Sequence, residues 1–190
     1  MKIGLFFGSF NPIHHGHLMV ASFVTNHTEL KQVWLVVSPQ NPHKTQASLL
    51  NEYDRLHLAQ LAIEDDNQLR VSDIEFKLPK PSYTIDTLTY LQEQFPQHEF
   101  YVIMGGDSFQ NLPKWKNFET LVKNYKFIVY KRPGFDHVQN HGADVQFLDA
   151  PMLELSATLI RNNCKNGITI RYLVPEKVRE EIEKNNYFFL

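Results

Sequence analysis

The residues best suited to chemistry in this sequence lie near its start. A short apolar run over residues 3–7 precedes a turn rich in Gly, Ser, Asn and Pro, and two histidines three positions apart follow, His14 and His17. Small residues such as Gly8 and Ser9 let the backbone approach a phosphate closely, and N–H groups at a helix start favour negative charge. Residues three apart on a helix share a face. The segment therefore predicts a phosphate-binding turn between a strand and a helix.

Two common nucleotide-binding motifs are absent from this region. The glycine spacing matches neither G-x-G-x-x-G nor G-x-x-x-x-G-K-[ST], so neither a dinucleotide fingerprint nor a P-loop is indicated. Simply exposed histidines or an H-x-x-H metal pair are the alternatives for His14 and His17. Zinc usually needs further protein ligands, and no second cluster at ligand spacing is evident in the sequence. On a shared helix face, the two histidines would project together at the end of the strand where phosphates would sit.

Composition narrows the class of protein. The 190 residues are 43% hydrophobic, which predicts one globular domain over residues 1–190. A net charge of −2 with scattered Lys and Arg gives no reason to expect a nucleic-acid surface. Cys164 is the single cysteine, so no internal disulfide can form. No secretory pattern and no membrane-spanning apolar run are seen, which predicts a cytoplasmic protein without a membrane partner. The oligomeric state stays open, a homo-oligomer included.

Strand-like and helix-like patterns alternate along the chain. Apolar runs typical of strands cover residues 3–7, 33–37, 69–74, 99–104, 127–130 and 145–148, and helical patterns cover 52–63, 85–95, 118–123, 157–164 and 176–184. Thr84 is expected to cap the helix over 85–95, and Trp34, inside a strand, is expected in the core. The alternation predicts an α/β fold, a Rossmann-like doubly wound parallel sheet with helices on both faces. Ligands bind at the carboxyl edge of such sheets, where the Gly8 turn, the Ser38–Lys44 loop, the Gly105–Asp107 turn and the Arg132 turn would meet.

Two segments carry a resemblance to a known superfamily. Residues 8–17 resemble the G-[TS]-F-[DN]-P-x-H-x-G-H motif of the nucleotidylyltransferases, with Asn11 where Asp is common. Residues 155–161 are similar to their I-S-S-T-x-I-R motif, with Ala157 in place of the second Ser. These enzymes join a nucleoside triphosphate to a phosphate-bearing acceptor and release pyrophosphate. The resemblance implies that His14, His17 and Arg161 are catalytic. It implies ATP contacts from Gly8, Ser9, Phe10, His14, His17, Gly105, Asp107, Ser156, Thr158 and Arg161.

The middle of the chain resembles one family of that superfamily, the nicotinate-nucleotide adenylyltransferases. Residues 38–44 and 80–88 are similar to two of its segments, the second being P-S-Y-T-x-D-T-L. The resemblance implies that Trp115 stacks on a pyridine ring and that the helix start at Thr84 receives the nicotinate carboxylate. The implied mononucleotide contacts are Asn41, His43, Lys44, Tyr83, Thr84, Trp115 and Arg132. Plain surface loops, helix capping alone, a tight turn at Gly105–Asp107 and a hydrophobic plug at Trp115 are the structural alternatives.

The resemblance implies a reaction in NAD biosynthesis. ATP and nicotinate mononucleotide would give deamido-NAD and pyrophosphate, with Mg²⁺ bound mainly through the ATP phosphates and no protein general base. Nicotinamide mononucleotide or phosphopantetheine is the alternative acceptor, and a non-catalytic nucleotide sensor is the alternative role. An NAD-dependent oxidoreductase would need the missing G-x-G-x-x-G.

Overall fold

A six-stranded parallel sheet organises the molecule. The computed structural model describes residues 1–40, 49–131, 139–151 and 153–189. Within these ranges the strands are β1 (Lys2–Gly8), β2 (Gln32–Val37), β3 (Leu69–Ser72), β4 (Glu99–Gly105), β5 (Lys126–Tyr130) and β6 (Asp144–Leu148). Their order is β3-β2-β1-β4-β5-β6, and every neighbouring pair is parallel. The order reverses at β1, so the carboxyl ends of β1 and β4 flank the crevice in which such sheets bind ligands.

Helices cover both faces of the sheet. They are α1 (His15–His27), α2 (Glu52–Ala62), α3 (Thr84–Gln94), α4 (Gly106–Gln110), α5 (Phe118–Asn124), α6 (Ala157–Lys165) and α7 (Glu176–Lys184), with short 3₁₀ helices at Ile74–Lys77 and Leu112–Lys114. One apolar cluster takes residues from α1, α2, α6 and α7, and a second takes residues from α3, α4 and α5. The predicted doubly wound sheet with helices on both faces is confirmed.

The strands read as continuous apolar runs because both sides of the sheet are buried. In β1, Ile3 and Leu5 belong to one cluster while Phe6 belongs to the other, as the two-residue period of a strand requires. Trp34 in β2 is buried, which confirms its predicted place in the core. No helix within the described ranges has both the length and the apolar character needed to cross a membrane.

Three local predictions were wrong. Thr84 is the first residue of α3, and Tyr83 occupies the cap position without a side-chain cap, because the N–H groups of Asp86 and Thr87 both donate to the Tyr83 carbonyl. The strand predicted over 69–74 ends at Ser72, since Ile74 already begins a 3₁₀ helix. The predicted turn at 105–107 is the start of α4, which follows β4 directly.

Candidate active site

A cavity of about 840 Å³ opens at the carboxyl edge of the sheet, beside the ends of β1 and β4. Every predicted site residue in the described part of the chain lines it: Gly8, Ser9, Phe10, His14, His17, Tyr83, Thr84, Gly105, Asp107, Trp115, Ser156, Thr158 and Arg161. Four further predicted residues, Asn41, His43, Lys44 and Arg132, lie outside the described residues. The two ends of the chain and its middle therefore contribute to one site.

The histidine pair meets in a different way from the one the spacing predicted. His14 is extended and immediately precedes α1, whereas His17 lies in its first turn. The rings stack with their centroids 3.7 Å apart, and the His14 peptide N–H donates to His17 Nδ1 at 3.3 Å. An accepting Nδ1 places the proton of a neutral His17 on Nε2. That tautomer can donate a hydrogen bond to an anionic oxygen.

Gly8 makes room for a buried ring. Phe10 is 1% exposed and has a φ of 44°, which turns its ring back over the end of β1. A Cβ on Gly8 would lie 2.8 Å from that ring. The Phe10 ring also packs edge-on against His17, with 5.0 Å between centroids. The sequence suggested that Gly8 admits a phosphate, but it gave no sign of this contact with Phe10.

Arg161 joins the two superfamily motifs. Its Nη1 donates to the Asn11 carbonyl at 2.8 Å, and its Nη2 donates to Thr158 Oγ1 at 3.1 Å. Burial lowers the pKa of Arg161, yet a guanidinium stays protonated in proteins. Ser156 accepts from the Leu159 N–H at 3.2 Å and so caps the N-terminus of α6. A cation and a helix N-terminus thus meet at the cavity wall.

Another part of the cavity wall is built from the start of α3 and from the loop that carries Trp115. Tyr83, Thr84 and Trp115 all line the cavity. Lys116 Nζ forms an ion pair with Asp86 at 2.7 Å and lies 4.7 Å from the Tyr83 ring centroid. These contacts hold the Trp115 loop against α3, although an exposed ion pair adds at most about 1 kcal/mol.

Sequence reasoning missed a buried carboxyl group, that of Glu75. Glu75 is 2% exposed and lines the cavity, and Thr87 Oγ1 donates to its Oε1 at 2.9 Å. Burial raises the pKa of Glu75, while the hydrogen bond from the Thr87 hydroxyl opposes that rise. The available signal was an acidic residue between two apolar ones, Ile74 and Phe76.

A second missed residue is Arg55 of α2, which is 0% exposed. Its guanidinium donates to the carbonyls of Ser9 and Ser38, both of which line the cavity. Its position in the helix could have identified it, because Arg55 shares a helix face with Leu58 and Ala59, three and four positions later, which are also buried. An arginine on the apolar face of a helix contradicts the pattern around it.

The charged residues of this cavity suit phosphate binding, because three of them are cations. Lys114, Lys116 and Arg161 line it together with two acidic residues, Glu75 and Asp107. Within the described ranges, no group of three or more His, Cys, Asp or Glu residues could hold a metal ion. Cys164 is buried, and burial raises the pKa of its thiol, which disfavours the reactive thiolate.

Comparison with known proteins agrees with this geometry. A family model described as cytidylyltransferase-like matches residues 5–163. A protein of Flavobacterium psychrophilum is 47% identical over 191 residues, which cover 99% of this chain and 99% of that protein. A protein of Cytophaga hutchinsonii is 49% identical over 190 residues, which cover 99% of this chain and 98% of that protein. Both are named probable nicotinate-nucleotide adenylyltransferases.

A solved structure has the same fold. It is Plasmodium falciparum nicotinic acid mononucleotide adenylyltransferase complexed with NaAD, and it has a TM-score of 0.84 at 21% identity, covering 98% of this chain and 97% of that chain. The fold, the cavity and the full-length relatives lead to one conclusion. The chain belongs to the cytidylyltransferase-like family and, within it, to the nicotinate-nucleotide adenylyltransferases.

Proposed function

We propose that this chain transfers the adenylyl group of ATP to the phosphate of nicotinate mononucleotide. The products are deamido-NAD and pyrophosphate, and the reaction serves NAD biosynthesis in the cytoplasm. The observation that carries the proposal is the meeting of the two superfamily motifs. The hydrogen bond from Arg161 to the Asn11 carbonyl joins residues 150 positions apart and puts the stacked histidines and the start of α6 in one cavity.

The ATP half of the site is assigned to these two motifs. Nε2 of His17 donates to the α-phosphate, where negative charge builds as the acceptor attacks. His14 supports the His17 ring by stacking on it at 3.7 Å. Arg161 offers a planar cation to the β- and γ-phosphates, and Ser156 and Thr158 stand at the start of α6, whose N–H groups favour anions.

The chemistry asks for positioning rather than for a protein base. The acceptor phosphate has a second pKa of about 6, so at pH 7 it is already mostly an unprotonated nucleophile. The remaining barrier comes from bringing two anions into line and offsetting their repulsion. Preorganised donors and cations that line the cavity, among them His17 and Arg161, supply that stabilisation.

We propose that Mg²⁺ enters with ATP. The ion prefers oxygen ligands and commonly uses one or two carboxylates together with substrate phosphates and water. Asp107, which the resemblance assigns to ATP, lines the cavity, and its carboxylate is of the type that would complete such a shell. When bound, the ion would neutralise charge on the triphosphate.

The acceptor half of the site is assigned to α3 and the Trp115 loop. The first N–H groups of a helix have no intrahelical acceptor, so those at Thr84 and Ile85 can bind the carboxylate of nicotinate. Nicotinamide has no carboxylate and gains less from them. Trp115 would stack on the pyridine ring, held near α3 by the pair between Lys116 and Asp86.

A pyrophosphate-release assay tests the proposal. The purified chain is given ATP and Mg²⁺ with nicotinate mononucleotide, nicotinamide mononucleotide or phosphopantetheine as the acceptor. We expect the highest kcat/KM with nicotinate mononucleotide and deamido-NAD as its product. Preferred use of another acceptor would reassign the acceptor half, and release with none of the three would leave nucleotide binding without catalysis.

A further inference from the structure

Arg55 connects the loop after β1 with the loop after β2, and the proposed reaction needs these two loops in a fixed relative position. It lies on α2, and its guanidinium is fully buried, with 0% exposure. Four carbonyl oxygens accept hydrogen bonds from it. They are those of Leu50 (2.8 Å, from Nε), Ser9 (2.6 Å, from Nη1), Ser38 (2.8 Å, from Nη1) and Pro39 (3.1 Å, from Nη2).

The accepting groups belong to different parts of the site. Ser9 lies in the loop after β1, which the proposed function assigns to ATP. Ser38 and Pro39 lie after β2, where the chain runs into the segment that the resemblance assigns to the mononucleotide. Ser9 and Ser38 both line the cavity. A single side chain therefore bonds the backbone on both sides of the place where the two substrates would meet.

The protonated state of Arg55 is kept despite its burial. Burial lowers its pKa to about 10, against a rise caused by the charge of Glu52, so the group is a cation at neutral pH. Among the described residues Arg55 forms no ion pair, and its guanidinium donates hydrogen bonds to four backbone carbonyls. Burying such a charge costs desolvation free energy. A neutral side chain could donate one or two of these hydrogen bonds without that cost.

Only arginine has the geometry for this arrangement. Its planar fork fixes five donors in a rigid pattern, whereas lysine is a compact point charge on a flexible stem. We propose that Arg55 is a positioning residue, which sets the loop at Ser9 and the loop at Ser38 in one relative arrangement. It thereby aligns the mononucleotide phosphate with the α-phosphate of ATP. This inference rests on the proposed function.

The test distinguishes a role of Arg55 in aligning the two substrates from a role in stabilising the fold. R55K keeps the charge but loses the fork, and R55M loses both. R70M is the matched control, because Arg70 on β3 is exposed and packs on Trp34, 4.6 Å from its ring centroid, away from the cavity lining. For each folded variant, kcat per active site is measured at saturating ATP and nicotinate mononucleotide. Dissociation constants are measured for ATP, for the mononucleotide and for deamido-NAD.

Deamido-NAD is the discriminating ligand because it spans both halves of the site. For R55K we expect kcat to fall by about 100-fold, the scale of a misplacement of about 1 Å. Deamido-NAD should bind at least about ten-fold more weakly, while ATP and the mononucleotide each bind nearly as in the wild type. R70M should match the wild type in all four quantities.

Other outcomes overturn the inference. A folded R55K with wild-type kcat and wild-type deamido-NAD binding would show that the fork does not set the alignment. Equal weakening of all three ligands would mark a general structural role, and so would failure of both Arg55 variants to fold. If R55M alone fails to fold, R55K decides. A wild-type protein that releases no pyrophosphate contradicts the proposed function instead, so the two failures are distinguishable.

Discussion

Replacing Gly8 with alanine should damage both stability and catalysis through one identifiable contact. Gly8 is the last residue of β1, and a Cβ there would lie 2.8, 2.9 and 3.0 Å from three atoms of the Phe10 ring. Carbon atoms prefer separations of about 3.5–4.0 Å, so the ring or the loop must move by about 1 Å. Gly8 has no left-handed φ, which leaves this clash as the main cost of the substitution.

The size of the effect follows from that displacement. Overpacking a buried contact costs about 1–3 kcal/mol of stability, and we expect the free energy of unfolding to fall by this amount in G8A. Phe10 packs against His17 with ring centroids 5.0 Å apart, so the displacement reaches a proposed catalytic side chain. A misplacement of about 1 Å can lower the rate about 100-fold, and kcat should fall on that scale.

A double-mutant cycle tests the cause. F10L removes the ring atoms that the new Cβ would meet, so G8A/F10L should lose less stability than the two single variants together. The expected coupling is about 1–2 kcal/mol, measured by urea denaturation. G142A is the control, because Gly142 has a φ of 77° but no atom of the described residues outside its chain neighbours lies within 4 Å of its ideal Cβ. It should cost stability through backbone strain and leave kcat unchanged.

Two results would refute this reasoning. G8A with wild-type stability and wild-type kcat would mean that the ring yields without cost. Additive losses in the double variant would mean that the damage does not pass through Phe10 and that Gly8 acts elsewhere, for instance by admitting a phosphate to the backbone.

Three further predictions concern other parts of the cavity. H17A should fold normally and lose about 100- to 1,000-fold in kcat, the effect of removing one preorganised donor; near-normal turnover would remove His17 from the catalytic set. W115A should weaken mononucleotide binding by about ten-fold, on the scale of an aromatic stacking contact, with the Kd for ATP unchanged; an equal loss for ATP would contradict stacking on the acceptor. The raised pKa of Glu75 means that the native state binds protons more tightly than the unfolded chain, so this residue's contribution to stability is largest below the ordinary glutamate pKa and is lost as pH rises from 4.5. We expect urea denaturation at a series of pH values, raised from the ordinary glutamate pKa, to show the free energy of unfolding falling more steeply in the wild type than in E75Q. Parallel pH profiles of the two proteins would exclude the contribution of Glu75.

The sequence predicted the fold well because its signals were local and mutually consistent. Continuous apolar runs predict strands that are buried on both faces, and the alternation with helices fixes a parallel sheet. Boundaries were harder. Thr84 and Ser156 are both hydroxyl residues beside a helix start. Ser156 caps α6 with its side chain, whereas α3 already includes Thr84 and its cap residue, Tyr83, makes no side-chain cap.

The candidate site was predictable to the extent that its motifs are contiguous. Thirteen predicted site residues lie in one cavity, but their contacts were not visible in the sequence. The hydrogen bond between Arg161 and Asn11 spans 150 positions, and the packing of Phe10 over Gly8 depends on a left-handed φ at Phe10. Neither spacing nor composition encodes such contacts.

The residues that the sequence failed to identify share one property, which explains the failure. Arg55 and Glu75 are charged side chains at buried positions, so the apolar pattern that identifies helices and strands treats them as exceptions. Buried polar groups are usually hydrogen-bonded. In this chain Arg55 donates to the loops at Ser9 and Ser38, which line the cavity, and Glu75 accepts from Thr87 of α3. The apolar pattern of the sequence therefore specifies the sheet. The buried charged residues that interrupt this pattern hold the backbone of the site in place. An adenylyltransferase of this kind works by aligning its two substrates. Residues that control its rate without touching either substrate should therefore be sought among the buried charged side chains.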